Sequence, residues 1–247
     1  MKFKAIVKEF AFRLGYRIEK INHPNFPILR PIDTNCIEIL EDPEFQNSCK
    51  MLGDTSLLDT PRLANLWMLC RITDPRGAIA EIGTYRGGGA LHLSNCCPKR
   101  QVVVCDPFAS ESFEKVDPEL DKLFPHGLFT GHSKERVTKL LEGRNRLIIP
   151  GYFPKSVKDV ALPKLSFVHL DVDVYHATRE SLVFLLTQQT LLEKSLIVVD
   201  DYNRKADGVN EAVKEIIAEV EGTLAFPMFP GQALIIPKSW VQSKTSL

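Results

Sequence analysis

Two apolar stretches of the chain end in acids. "FVHLDVDVYHAT", residues 167–178, runs into Asp171 and Asp173, and "LIVVDDYN", residues 196–203, carries Asp200 and Asp201. Adjacent parallel strands lie about 4.8 Å apart, so if both stretches are neighbouring strands, Asp171, Asp200 and Asp201 meet at one edge of a cleft. Carboxylates crowded in a partly buried site repel unless a proton or a cation joins them. An oxygen-only ligand set selects a hard divalent ion, magnesium or calcium. A plainer account keeps Asp173 as the cap of a helix starting near Tyr175 and Asp201 as a turn former.

A second constellation precedes these acids. "EIGTYRGGGA", residues 81–90, follows an apolar run and opens a helix. A dinucleotide fingerprint places a glycine where Tyr85 stands, because the backbone there must approach a pyrophosphate. The loop also lacks the lysine and hydroxyl residue of a phosphate loop. Its G-x-x-x-G-G form, with Glu81 at the base, suits an adenosyl ligand without phosphates. Asp106 ends the next apolar run, 23 residues past Gly83, about where an acid meets a ribose diol, ~20 residues on. The competing account is that the glycines permit tight helix packing and Asp106 caps a turn.

Positioning these groups requires apolar strands alternating with helices. The sequence gives strand "AIAEIG", a helix near 87–95, strand "QVVVCD", helical material, strand "RLIIPG" and strand "LSFVHLD". A helix over 176–189, strand "SLIVVD", a helix over 208–220 and the closing pair "TLAFPMF" and "QALIIP" follow. That alternation predicts an α/β, Rossmann-like fold: a mostly parallel sheet with helices on both faces and a C-terminal antiparallel hairpin strand. Ligands of such sheets bind outside the carboxyl ends of the strands, where the acids lie. Upstream, "DTPRLANLWMLCRIT" predicts a helix over about 60–73.

Residues 1–50 are expected to form an arm or cap, set off by the proline-rich "NHPNFPILRPID", with the main domain spanning 51–247. In "MKFKAIVKEFAFRLGYRIEK", Phe3, Ile6, Val7, Phe10 and Leu14 fall near helical spacing. This predicts an amphipathic helix that covers the core or a homodimer partner, or alternatively touches an anionic membrane surface. It lacks the continuous apolar core of a secretory signal.

Lysine plus arginine and aspartate plus glutamate both number 31, for a formal net charge of zero. No overall field draws the chain to nucleic acid. The six cysteines, at 36, 49, 70, 96, 97 and 105, form no C-x-x-C pair, so they are expected to be reduced, mostly buried, and not a zinc clasp. A cytoplasmic location is expected.

Taken together, "EIGTYRGGGA", "LDVDVYHATRESL" and "IVVDDYN", with "LANLW" and "IIPGYFPKSV", resemble the macrocin O-methyltransferase (TylF-like) family over about residues 51–236. That family's D-G-D-x-Y motif stands here as Asp171, Val172, Asp173, Val174, Tyr175. The resemblance implies a class I methyltransferase seven-stranded fold and methyl transfer from S-adenosylmethionine to a hydroxyl, often of a sugar-bearing secondary metabolite, with Mg²⁺ holding the acceptor. By motif, the metal ligands are Asp171, Asp200 and Asp201. Glu81, Gly83, Thr84, Tyr85, Arg86 and Gly87 hold the methionine part, Asp106 the ribose, and Ser133 and Asp171 further donor contacts. The resemblance also implies a histidine base between the second and third strands of the domain. His126 is favoured by its place before "SKERV", with His132 and His176 as alternatives.

Two other functions compete. A glycosyltransferase using a D-x-D acid pair and a metal has no need of the "EIG" loop. A non-catalytic adenosyl-binding module has no need of the strand-end acids.

Overall fold

A computed structural model of the chain describes residues 16–20, 27–31, 39–109, 113–125, 128–129, 132–203 and 206–237. The chain divides into two compact units, Met1–Gln46 and Asn47–Leu247. In the first, β1 (Tyr16–Lys20) and β2 (Pro27–Pro31) pair antiparallel, with Ile18 opposite Leu29. The amphipathic helix expected of the N-terminal stretch therefore does not include its last five residues, which are extended; Tyr16 and Ile18 are good strand formers. The helical spacing from Phe3 to Leu14 lies outside the described residues. Helix α1 (Pro43–Leu52) crosses the boundary between the units.

The second unit carries α2 (Thr60–Arg71), β3 (Ala78–Ile82), α3 (Gly88–Cys96), β4 (Val102–Asp106), α4 (Lys134–Leu140), β5 (Arg146–Pro150) and β6 (Leu165–Leu170). It continues with α5 (Tyr175–Thr187), β7 (Leu191–Asp200), α6 (Asp207–Glu219), β8 (Leu224–Met228) and β9 (Gln232–Ile236). Its seven strands stand in the order β5-β4-β3-β6-β7-β9-β8. The first five are parallel, and β9 joins β7 and β8 antiparallel. This is the Rossmann-like, mostly parallel sheet with an antiparallel closing hairpin that the alternation predicts.

Every residue of β3, β4 and β6 is buried, as central strands covered on both faces must be. Side chains alternate between the faces. Ala80, Ile82, Val103, Cys105, Val168, Leu170, Ile197 and Val199 join Leu182 and Leu185 of α5 and Val209, Val213 and Ile216 of α6 in one core. Their neighbours Glu81 and His169 point to the opposite face. No helix among the described residues is long and apolar enough to cross a membrane.

The topology fixes where a ligand can enter. From β3 the chain moves outward through β4 to β5, then returns to place β6 on the other side of β3. The strand order reverses between β3 and β6, opening a crevice at their carboxyl ends.

Helix starts explain how side chains are aimed there. Asp59 accepts from the Arg62 amide at 3.1 Å and caps α2, with Pro61 in the first turn. Helix α5 is capped from a distance, because Asp121 Oδ1 accepts from the Tyr175 amide at 2.9 Å. Asp173, the cap in the plainer of the two sequence accounts, instead sits at φ 63° and lines the cavity.

Candidate active site at the strand switch point

Strand β3 leads into Gly83, whose φ is 82°. A Cβ there would lie 1.8 Å from the carbonyl oxygen of Asp171, because the Asp171 amide donates to the Ile82 carbonyl at 2.8 Å and brings the two strand ends together. Only glycine accepts both the conformation and the contact.

Asp106, at the end of β4, holds the next turn. Its Oδ2 accepts from the Thr84 amide at 2.9 Å and the Tyr85 amide at 3.1 Å. Its Oδ1 accepts from the Phe108 amide at 2.8 Å and from His132 Nε2 at 2.9 Å. A carboxylate offers about four lone-pair sites, so loop amides and one imidazole fill them. Asp106 thereby organises the glycine loop itself.

Beneath the loop, Glu81 is 2% exposed. It accepts from the Thr84 hydroxyl and faces His169 Nδ1 at 3.3 Å. A Cβ on Gly89 would lie 1.8 Å from Glu81 Oε1, so this glycine makes room for the acid.

Across the crevice, Asp171, Asp200 and Asp201 each offer an oxygen within 4.8 Å of the others. Arg62 reaches them from the first turn of α2. Its Nη1 pairs with Asp200 Oδ2 and lies 3.6 Å from Asp201 Oδ1, while Nη2 donates to the Leu57 carbonyl at 3.0 Å. Gln232 Nε2, on β9, donates to Asp200 Oδ1 at 2.8 Å, and Asn65 Nδ2 donates to the Gln232 amide oxygen at 2.9 Å. The closing hairpin thus contributes to the site.

Burial, then the charge of Asp200, pushes the Asp171 carboxyl well above the usual carboxylate range. Burial and the charges of Asp171 and Asp201 do the same to Asp173. Asp200 goes the other way: burial opposes its charge, but His169, Arg62 and Gln232 outweigh it and draw it down. Burial likewise opposes the charge on His169, yet the carboxylates of Asp200 and Glu81 lift it to about 10. Its Nε2 stands 4.0 Å from Asp200 Oδ1, too long for a direct hydrogen bond, so the Asp200 contribution is one of charge. Around the strand tips, Glu81, Asp171, Asp173, Asp200 and Asp201 face two cationic side chains, Arg62 and His169, and negative charge is in excess.

One cavity gathers these groups. Glu81, Gly83, Thr84, Tyr85, Asp106, Asp171, Asp200 and Asp201 line it, together with Arg62, His132, Asp173, His176, Phe113 and Phe129. Arg86 does not: its guanidinium stacks 4.9 Å above the Tyr85 ring and pairs with Asp54 at 3.3 Å. Gly87 is the left-handed residue that starts α3. Ser133 caps α4 by accepting from the Arg136 amide at 3.3 Å. His126 lies outside the described residues.

Sequence reading missed Arg62 and His169. A basic residue in the first turn of a helix opposes the helix dipole, and that mismatch in "DTPRL" was a usable sign that Arg62 has an acidic partner elsewhere. His169 stood inside an apolar strand and carried no such sign.

The macrocin O-methyltransferase (TylF) profile matches residues 48–223. The chain belongs to this family. Membership places it among O-methyltransferases and removes the glycosyl-transfer alternative. Among solved structures, the O-methyltransferase NovP is similar with a TM-score of 0.63 at 19% identity, covering 74% of this chain and 82% of that one. The calicheamicin methyltransferase CalS11 gives a TM-score of 0.52 at 17% identity, covering 78% of this chain and 90% of that one. The S-adenosylhomocysteine-bound methyltransferase PaMTH1 of Podospora anserina gives 0.51 at 14% identity, covering 95% and 94%. At such identities the likeness speaks to the fold. No curated protein sequence matches the chain.

Proposed function

We propose that the protein moves a methyl group from S-adenosylmethionine to a hydroxyl of a small, sugar-like acceptor, with a divalent ion such as Mg²⁺ held by Asp171, Asp200 and Asp201. The carrying observation is that a glycine-floored loop and a three-carboxylate cluster line one cavity, where acids outnumber cations. A divalent ion together with a sulfonium offsets that excess, so the residues present fit both groups.

When bound, the donor supplies an electrophilic methyl group, and the ion lowers the pKa of a hydroxyl by many units. The chain's own residues do the positioning. Gly83 leaves the loop floor open, and buried Glu81 suits the methionine ammonium. The rings of Tyr85, Phe113 and Phe129 form an apolar wall for the adenosyl part. Arg62 and Gln232 fix the orientation of Asp200, and restricting the acceptor oxygen in this way contributes to rate through alignment. Glu114, Lys115 and Glu180 on the lining suit an acceptor with several hydroxyls. A homodimer belongs to this reading as the assembly to test by ultracentrifugation.

As proton acceptor, His126 remains the favoured base, with His132 and His176, which both line the cavity, as alternatives and Asp173 on the same lining as a further candidate. Substituting each with its amide analogue or glutamine separates them: the base is the residue whose loss lowers kcat ~10² to 10⁴-fold while donor binding persists.

The reading as a whole is tested by calorimetry and a labelled-methyl assay. S-adenosylhomocysteine should bind, and Asp171→Asn should abolish transfer while leaving that binding within a few-fold. Full activity in excess chelator would overturn the metal assignment, and failure of S-adenosylhomocysteine to bind would overturn the donor.

A further inference from the structure

Three cysteines meet at the far ends of α2 and α3. Cys70 lies in the last turn of α2, Cys96 ends α3, and Cys97 follows it. The Cys70 and Cys97 sulfurs are 3.7 Å apart, those of Cys97 and Cys96 3.9 Å. Cys96 donates its S–H to the Trp67 carbonyl at 3.3 Å and is held as a thiol.

Arg100 decides what the cluster is for. Its side chain is buried, and its donors meet the Gly77 carbonyl at 2.9 Å, the Cys70 carbonyl at 3.0 Å, Thr73 Oγ1 at 3.1 Å and Ser166 Oγ. All of these acceptors are neutral. Nearby Asp74 is engaged by Arg76 at 3.0 Å. Arg100 acts on that carboxylate through its charge alone, and its remaining hydrogen-bond contacts are sulfurs, Cys70 at 3.7 Å and Cys97 at 4.0 Å. A fixed cation here repels a metal ion and favours a thiolate.

We propose that Cys97 and Cys70 form a peroxide-sensitive dithiol, with Cys97 as the nucleophilic thiolate, Arg100 as its counter-ion and Cys70 as the resolving thiol. Cys97 is half-buried and reachable, whereas Cys70 is fully buried. The sulfur contacts with Cys70 and then Cys96, together with the Arg100 charge, draw the Cys97 thiol down to about 3 against its burial. Burial holds Cys70 well up, as befits the thiol that reacts second.

The Cys97 thiolate attacks one oxygen of a hydroperoxide. The S–O bond forms as the O–O bond breaks, giving a sulfenic acid and hydroxide, or alkoxide from an organic peroxide. The Cys70 sulfur then displaces the sulfenic oxygen, and with the Cys70 proton that oxygen leaves as water. Two electrons pass from the two thiols to the peroxide. Cys96 is not the partner, because adjacent Cα atoms stand about 3.8 Å apart, below the roughly 4.4–6.8 Å that a disulfide spans. The bond ties the C-terminal ends of two helices whose opposite ends carry Arg62 and the glycine loop.

The test treats the full-length reduced protein with hydrogen peroxide, blocks remaining thiols, and maps peptides by mass spectrometry. A Cys70–Cys97 cross-linked peptide is expected. Cys70→Ser should instead accumulate a dimedone-trapped sulfenate on Cys97, Cys97→Ser should show neither product, and Arg100→Met should slow the reaction at least ten-fold while Arg100→Lys restores most of the rate. Persistence of both free thiols in wild-type protein under excess peroxide would overturn the proposal, as would a Cys96–Cys97 product or zinc retained by all three thiols. The wild-type mapping decides even if a variant fails to fold.

Discussion

Gly83 shows how little latitude single residues have at this site. A methyl group there would meet the Asp171 carbonyl at 1.8 Å while the backbone stays at φ 82°. Gly83→Ala should therefore shift the end of β6 and cost about 1–3 kcal/mol, with S-adenosylhomocysteine affinity falling at least ten-fold by calorimetry. His92 offers a pH prediction. Its Nδ1 accepts from Ser48 at 2.8 Å, and its Nε2 donates to the Leu63 carbonyl at 3.0 Å; burial draws it down to about 4 from 6.5. The unfolded chain thus binds a proton that the folded one refuses. Stability from this group is complete above about pH 6.5 and drains away as pH falls toward 4, by about 3 kcal/mol. Urea unfolding of wild type and His92→Gln at pH 7.5 and 4.5 should show the difference between them shrinking in acid. At this scale the acids were legible in the sequence, because strand ends in α/β sheets face the ligand. Arg62 was not, since its partner Asp200 is 138 residues away.

At the scale of elements, the central strands were legible as short apolar runs, and β3, β4 and β6 are buried throughout. The cap of α5 was not, because it arrives from a loop about fifty residues upstream. Asp121 Oδ1 accepts from the Tyr175 amide at 2.9 Å, Oδ2 accepts from the Asp117 amide at 2.8 Å, and a Cβ on Gly208 would lie 1.9 Å from Oδ1. One buried carboxylate thus joins its own loop to the starts of α5 and α6. Local signals in "DVDVY" pointed to Asp173 as the cap, and the tertiary contact overrode them. Asp121→Ala should lower stability by about 1–2 kcal/mol, whereas Asp121→Asn, which keeps an acceptor oxygen, should recover much of that loss in a urea melt. Equal losses for the two variants would mean that the carboxylate charge, not the cap, matters.

For the whole molecule, a formal net charge of zero conceals a local concentration of negative charge at the switch point. The fold tolerates Asp171 and Asp173 there only by raising their pKa values, so an ion that binds the folded chain and not the unfolded one stabilises it by mass action. At one hundred times its Kd that gain is about 2.7 kcal/mol, or about 5–10 °C in Tm for a domain of this size. Mg²⁺ added to chelator-treated protein should therefore raise the melting temperature, with a further rise on adding S-adenosylhomocysteine. Asp171→Asn should lose the first increment and keep the second, because Glu81 and the Gly83 loop do not depend on it. An Mg²⁺ response as large in Asp171→Asn as in wild type would locate the ion elsewhere, and a response that vanishes above 0.15 M salt would reduce it to screening of surface charge.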